Sequence, residues 1–330
     1  MRRREFIAAF AGVAAAWPTA VPAQQSDKVR LIGVLLGSAD KDAVTQKRLA
    51  AFRDGLAELG WVEGRNLRFE IRWSGGDVER THRLAAELVS LNPDVVLSHG
   101  TAAIAAMKQA TTSIPTVFVI VNDPVAQGYV TSVGHPGGNI TGFSYMDYSM
   151  LGKALGLLKE IAPGVGRSGF IFNPDDYPYY EVYLRTLKSE RQTIGIDVTP
   201  MRVHSDAEIE DAVAQAADEP GGSLFAAPST FLFVHRQKVI EIAATHRLPT
   251  IYGFREAVAE GGLMSYAPDQ TDIFKRSVSY IDRILRGAKP GDLPIQTPTK
   301  FEFHLNLKTA RTLGLTIPSG VLAIADEVVE

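Results

Sequence analysis

Gly100-Thr101 closes the apolar run DVVLSH and opens directly into a helical pattern, TAAIAAMKQA. A hydroxyl residue at a helix start can cap that helix, and the free N–H groups there attract a carboxylate or another anion. Asp123, in Asn122-Asp123-Pro124, offers a carboxylate that can pair with an ammonium group, because an enclosed carboxylate needs a partner. The same tripeptide is also good material for an Asx-type turn. Ser38, after the run VRLIGVLL, and Ser229-Thr230, after SLFAA, add hydroxyls at equivalent points. Asn173, Asp175 and Asp176 fall in another loop and Asp269 in a fourth, with plain solvation as the alternative reading of the acids. Ser144 and Tyr145 follow ITGF, and Tyr145, Tyr177, Tyr179, Phe231 and Tyr252 can line an apolar pocket or merely pack. The chemistry on offer is non-covalent: an anion site, a cation partner and an aromatic wall.

Covalent chemistry finds little to work with. The chain has no cysteine, which excludes disulfides, thiolate nucleophiles and cysteine metal sites. No Gly-x-Ser-x-Gly elbow, Gly-x-x-x-x-Gly-Lys phosphate loop or His-Glu-x-x-His pair occurs. Gly164-Val165-Gly166-Arg167-Ser168-Gly169 matches a dinucleotide fingerprint formally, but it runs into a strand instead of opening a helix after one. The seven histidines lack ligand spacing, and His135 reads as a loop residue in Gly134-His135-Pro136. No metal, cofactor or catalytic group is expected.

The elements that must carry the polar residues alternate regularly. Val29–Leu36, Leu67–Trp73, Asp94–His99 and Thr116–Val121 read as strands, and Gln46–Leu59, Val78–Leu91 and Thr101–Thr111 as the helices between them. Near-continuous apolar runs separated by helices specify a parallel sheet covered on both faces. The plan then restarts, with strands at Ser168–Phe172, Val198–Val203, Ser223–Ala227 and Thr250–Tyr252. Ile114-Pro115-Thr116-Val117 matches Leu248-Pro249-Thr250-Ile251; Pro115 lies 55 residues after Gly60, and Pro249 lies 54 after Gly195. Two similar Rossmann-like α/β lobes are the economical explanation. An amphipathic helix at Asp272–Leu285 and a strand at Phe301–Leu305 complete neither lobe alone, so the chain is expected to cross between lobes several times. Residues 29–143 plus 268–295 form the first lobe in this reading, and 144–267 plus 296–330 the second. Thr141–Ser144 is read as the first crossing of a hinge. Ligands of open parallel sheets bind beyond the carboxyl ends of the strands, where every polar residue named above sits.

The N-terminus reads as a leader. Arg2, Arg3 and Arg4 precede the apolar stretch Phe6–Ala16, and Val21-Pro22-Ala23 supplies a cleavage pattern, giving a signal peptide at 1–23. The stretch is shorter than the roughly 20 residues a membrane span needs. Arg3-Arg4-Glu5-Phe6-Ile7 also fits a twin-arginine address, with an ordinary Sec signal as the alternative. With no cysteine to carry a lipid, a soluble periplasmic protein is expected. The net charge of −3 without a basic stripe argues against a nucleic-acid partner.

Several stretches carry a family likeness: Ile32-Gly33-Val34-Leu35, Phe52-Arg53-Asp54-Gly55-Leu56, Pro93-Asp94-Val95-Val96, Asp123-Pro124-Val125, Gly137-Gly138-Asn139-Ile140-Thr141-Gly142 and Thr297–Pro318. Across essentially the whole mature length the chain resembles the tryptophan/tyrosine-type ABC transporter substrate-binding proteins, of the type I periplasmic-binding-protein fold. One departure is Gly100-Thr101-Ala102-Ala103 where the family often has Thr-Pro-Ala. The resemblance implies a monomeric binding protein that captures a small molecule, an amino acid or aromatic compound in some members, for ABC permease and ATPase subunits. A ligand-sensing module for a membrane receptor is the alternative, and an enzyme on the same scaffold a remote one. The site set expected is Ser38, Gly100, Thr101, Asn122, Asp123, Ser144, Tyr145, Asn173, Asp175, Tyr177, Ser229, Thr230, Tyr252 and Asp269.

Overall fold

A computed structural model describes residues 29–145 and 149–330, so the leader expected at 1–23 lies outside the described residues. In the first half β1 (Arg30–Leu36), α1 (Ala43–Glu58), β2 (Leu67–Trp73), α2 (Val78–Ser90), β3 (Val95–His99), α3 (Thr101–Ala110), β4 (Thr116–Val121) and β5 (Ile140–Ser144) follow in order. Their strands form one wholly parallel sheet, β2-β1-β3-β4-β5. Alternation along the strands divides its core. Ile32, Val34 and Leu36 of β1 face Leu49, Phe52 and Leu56 of α1, while Leu35 faces the opposite layer with Leu88 of α2 and Ile104 of α3.

The second half runs α4 (Ser149–Ile161), β6 (Arg167–Phe172), α5 (Tyr180–Ile194), β7 (Asp197–Arg202), α6 (Asp206–Asp218), β8 (Leu224–Ala226), α7 (Thr230–Val234), α8 (Arg236–Thr245), β9 (Thr250–Tyr252), α9 (Glu256–Ala259) and β10 (Met264–Pro268). Then come α10 (Gln270–Leu285), β11 (Phe301–Asn306), α11 (Leu307–Thr312), α12 (Ser319–Ala323) and β12 (Glu327–Val329). The second sheet is β12-β11-β10-β9-β8-β6-β7. It is parallel except where β10 meets β11. Pro200 sits in β7, an edge strand, where its missing N–H is tolerated.

Helix α10 packs beside α1 on the first sheet although it follows the second half in sequence. Its Ile273, Phe274 and Ile281 are buried, and Trp61 Nε1 donates to Asp282 Oδ1 at 2.8 Å. Asp269 starts this helix by accepting from the Thr271 amide at 2.7 Å. The chain therefore passes between the sheets three times, after β5, between β10 and α10, and before β11. Two of these passages are joined: Ser144 N donates to Gln296 O at 2.8 Å and Gln296 N to Gly142 O at 2.9 Å. Thr141–Ser144, expected as the first crossing, is the end of a buried fifth strand of the first sheet, its amides continuing the ladder with β4, and the chain crosses directly after it.

Candidate functional site

The carboxyl ends of the two sheets face one another across a closed cleft. At its centre is a cavity of about 20 Å³. That volume suits a single water molecule, which needs roughly 10–15 Å³. His99, Thr101 and Ile120 come from the ends of the first sheet, and Gln270 from the start of α10. Asp176, Ser229, Thr230, Phe233 and Phe254 come from the second half. A groove of about 990 Å³ also runs between α1 and α10, but no strand-end loop lines it.

Local geometry explains how these side chains arrive. Gly100 takes the N-cap position of α3 at φ +90°, so Thr101 is the first helical residue and does not cap its own helix. Ser229 caps α7, accepting from the Leu232 amide at 3.3 Å, and so aims Thr230 and Phe233 at the first lobe. Thr230 enters a notch floored by glycine: a Cβ added at Gly37 would stand 2.5 Å from Thr230 Cγ2. Ile120 was unforeseen. It adopts φ +59°, at a register shift between Val119 and Val121 of β4. A β-branched residue there costs on the order of 1–3 kcal/mol, and the bulge turns its side chain into the cavity.

The cleft is bridged by charge. Arg236 Nη2 lies 2.8 Å from Asp42 Oδ2, and Arg48 Nη2 lies 2.5 Å from Glu256 Oε1. Phe233 sits between both guanidiniums, its ring centroid 5.2 Å from Arg48 Cζ and 4.5 Å from Arg236 Cζ. Asn122 Nδ2 donates to Pro228 O at 3.2 Å, and Tyr145 OH to Gly253 O at 2.8 Å. Burial works against Asp42, but the Thr45 amide and hydroxyl and Arg236 outweigh it and hold the carboxyl below its ordinary range. Burial drives His99 down to about 3, with the Arg48 charge adding to the effect, so its ring is neutral. Burial pushes Asp176 up, opposed by the Phe231 amide, which donates to its Oδ2 at 2.7 Å, and by Ser229 and the Thr230 and Ala102 amides.

Of the residues singled out from sequence, Thr101, Ser229 and Thr230 line the cavity; Gly100 and Asn122 lie against the second lobe beside it. Ser38 is buried at the end of β1, accepting from the Thr45 hydroxyl at 3.0 Å. Ser144 holds the crossing at Gln296. Asn173 folds its own loop, taking the Asp175 amide at 2.8 Å, and this presents Asp176. The others are not brought to the cavity. Asp175 points to solvent, 62% exposed. Asp123 closes a turn at φ +36° by accepting from the Ala126 amide at 3.0 Å. Asp269 caps α10 and pairs with Arg255 at 2.9 Å. Tyr177 and Tyr252 pack in the core of the second half.

Among the described residues no helix is long and apolar enough to cross a membrane. The sequence profile described as "ABC transporter substrate binding protein" matches residues 36–329. A tyrosine-binding protein of Clostridioides difficile (strain R20291) is 24% identical over 270 residues, 82% of this chain and 77% of that protein. A conserved domain protein from Vibrio cholerae O1 biovar El Tor superposes with a TM-score of 0.82 at 28% identity, over 91% of this chain and 100% of the other. An ABC domain from Streptococcus pneumoniae in complex with L-Trp gives a TM-score of 0.82 at 25% identity, over 91% and 99%.

Proposed function

We propose that this chain, which belongs to the ABC transporter substrate-binding protein family, is the exported component of an importer and closes its two lobes around a small solute. The single observation that carries this reading is the enclosed cavity with walls drawn from the strand ends of both sheets. The lobes divide at 29–143 plus 268–295 and 144–267 plus 296–330, supported by α10 packing on the first sheet and β11 pairing in the second. An aromatic amino acid is the first solute class to try, since relatives carry tyrosine or tryptophan in their descriptions.

The cavity admits only a water in this form, so an aromatic amino acid enters when the lobes part. It then favours closure by its differential affinity for the closed state. Micromolar capture corresponds to about −8 kcal/mol, within reach of hydroxyls, backbone amides and the Phe233 and Phe254 rings. Purified protein heated with L-tyrosine, L-tryptophan and nucleosides is the test. Solute at a hundredfold excess over Kd adds about 2.7 kcal/mol to stability, and Thr101→Val weakens that protection. A melting temperature unmoved by every small solute overturns the reading. Loss of radiolabelled uptake on deleting the gene separates delivery to a permease from signalling.

A further inference from the structure

Arg48 stands apart from the other charges of the cleft. It is fully buried in α1, and a guanidinium carries five N–H donors and keeps its charge. Nη2 is engaged by Glu256 Oε1. Nε and Nη1 have no hydrogen-bond partner among the described residues, and neither does Glu256 Oε2. Arg236, by contrast, is shared between two carboxylates, Asp42 and Glu260, at 2.8 Å each. A buried charge with donors unmet is costly, and such a cost persists where the missing partner arrives from outside.

The direction of arrival follows from which lobe holds what. Arg48 belongs to the first lobe; its counter-ion Glu256 and its aromatic cover Phe233 both belong to the second. Parting the lobes strips Arg48 of both at once. It leaves a bare cation on the first-lobe wall, near His99, whose Nδ1 is also unpartnered among the described residues. An uncharged solute closing over that cation cannot replace the lost carboxylate; an anion of the same shape can.

We propose that Arg48 receives the carboxylate of the solute, and that Glu256 competes with it for the same guanidinium. This rests on the solute-binding reading and narrows it to carboxylate-bearing compounds. Neutral sugars are excluded, and a carboxylate is preferred to the larger tetrahedral phosphate because a planar carboxylate is what fits against Arg48 in the closed cleft.

Calorimetry on the intact protein with matched pairs tests it: L-tyrosine against L-tyrosinamide, L-tryptophan against L-tryptophanamide, benzoate against benzamide, with glucose and phenyl phosphate as outgroups. At least one acid binds and its amide does not. Arg48→Gln weakens the acid by about 30-fold or more, the effect of removing one member of a buried charge pair. Arg48→Lys recovers part of the loss. Glu256→Ala, which removes the competitor, tightens acid binding by about threefold or more, since a closed ligand-free population lowers apparent affinity. A merely structural pair predicts that both single variants weaken binding alike, and that outcome overturns the proposal. So does an amide, glucose or phenyl phosphate binding as well as the acids, which would leave the solute-binding reading standing. If Arg48→Gln does not fold, the acid–amide comparison on unaltered protein decides. Silence from every compound overturns this proposal together with the reading beneath it.

Discussion

The two walls of the cleft come from half-chains built on one βα plan, yet they meet with unlike chemistry. The first wall is a notch, floored at the strand ends by Gly37 and Gly100, with His99 lining the cavity beside it and Arg48 set against Phe233 of the other wall. The second wall is a knob, with Thr230 and Phe233 projecting from α7 and Asp176 beneath them. Two identical rims could not interlock in this way. The shared βα plan supplies the scaffold, and the side chains that differ between the halves supply the fit.

Filling the notch is the strongest way to break that complementarity. Gly37 does not use left-handed backbone, so Gly37→Val acts by bulk alone, against Thr230. Overpacking of this kind costs about 1–3 kcal/mol, which lowers solute affinity roughly 5- to 150-fold by calorimetry and expands the particle in small-angle scattering. Thr230→Gly in the same chain restores the compact particle, while affinity, to which the Thr230 side chain itself contributes, recovers only in part. Undiminished affinity in Gly37→Val would mean that the interlocked form is not the binding form.

Titration sharpens the contrast, because burial moves one group on each wall in opposite directions. His99 is depressed to about 3 from 6.5. The unfolded chain takes up a proton there before the folded one does, so stability is full above about pH 6.5 and falls toward pH 3, by up to about 1.4 kcal/mol per unit. Asp176 is raised, so its contribution is full below about pH 3.9 and is lost as pH rises through the folded value. In urea titrations from about pH 7 to pH 4, His99→Phe should therefore lose less stability on acidification than the parent. Asp176→Asn should shift the profile the other way. Parallel shifts would remove the distinction. Smallest of all, Asp175→Ala, beside Asp176 but in solvent, should change stability by less than about 0.5 kcal/mol and leave solute affinity alone.

Much of this architecture was legible because parallel strands buried on both faces write themselves as apolar runs. Pro115 and Pro249, each just ahead of a fourth strand, marked the duplication. Helix α4 was not read, nor were α12 and β12; the last two are short and largely exposed, without a strong apolar rhythm. At the candidate site, the hydroxyls expected after the strands at Thr101, Ser229 and Thr230 are brought together at the interlobe cavity. Loop acids were harder, since Asp123, Asp175, Asp176 and Asp269 share a composition signal while one closes a turn, one is solvated, one is buried and one caps a helix. Arg48 was hidden in an ordinary helical pattern, because what sets it apart is a partner 208 positions away. Ile120 left no trace either: from Val117 to Val121 the strand is apolar throughout, and a bulge inside it alters no residue type.

The placement of α10 bears on how the protein comes into being. Synthesis delivers β1 to β5 early, but the helix that seals one face of that sheet is not complete until Leu285. A nascent first half emerging alone would show Phe52 and Val117 to water until the second half has been translated as far as β10 and α10 has followed. Long-range closure of this sort slows folding and exposes sticky intermediates. Assembly is thus interleaved for this chain: the half begun first waits for a helix made after most of the other, and the second half closes only with β12.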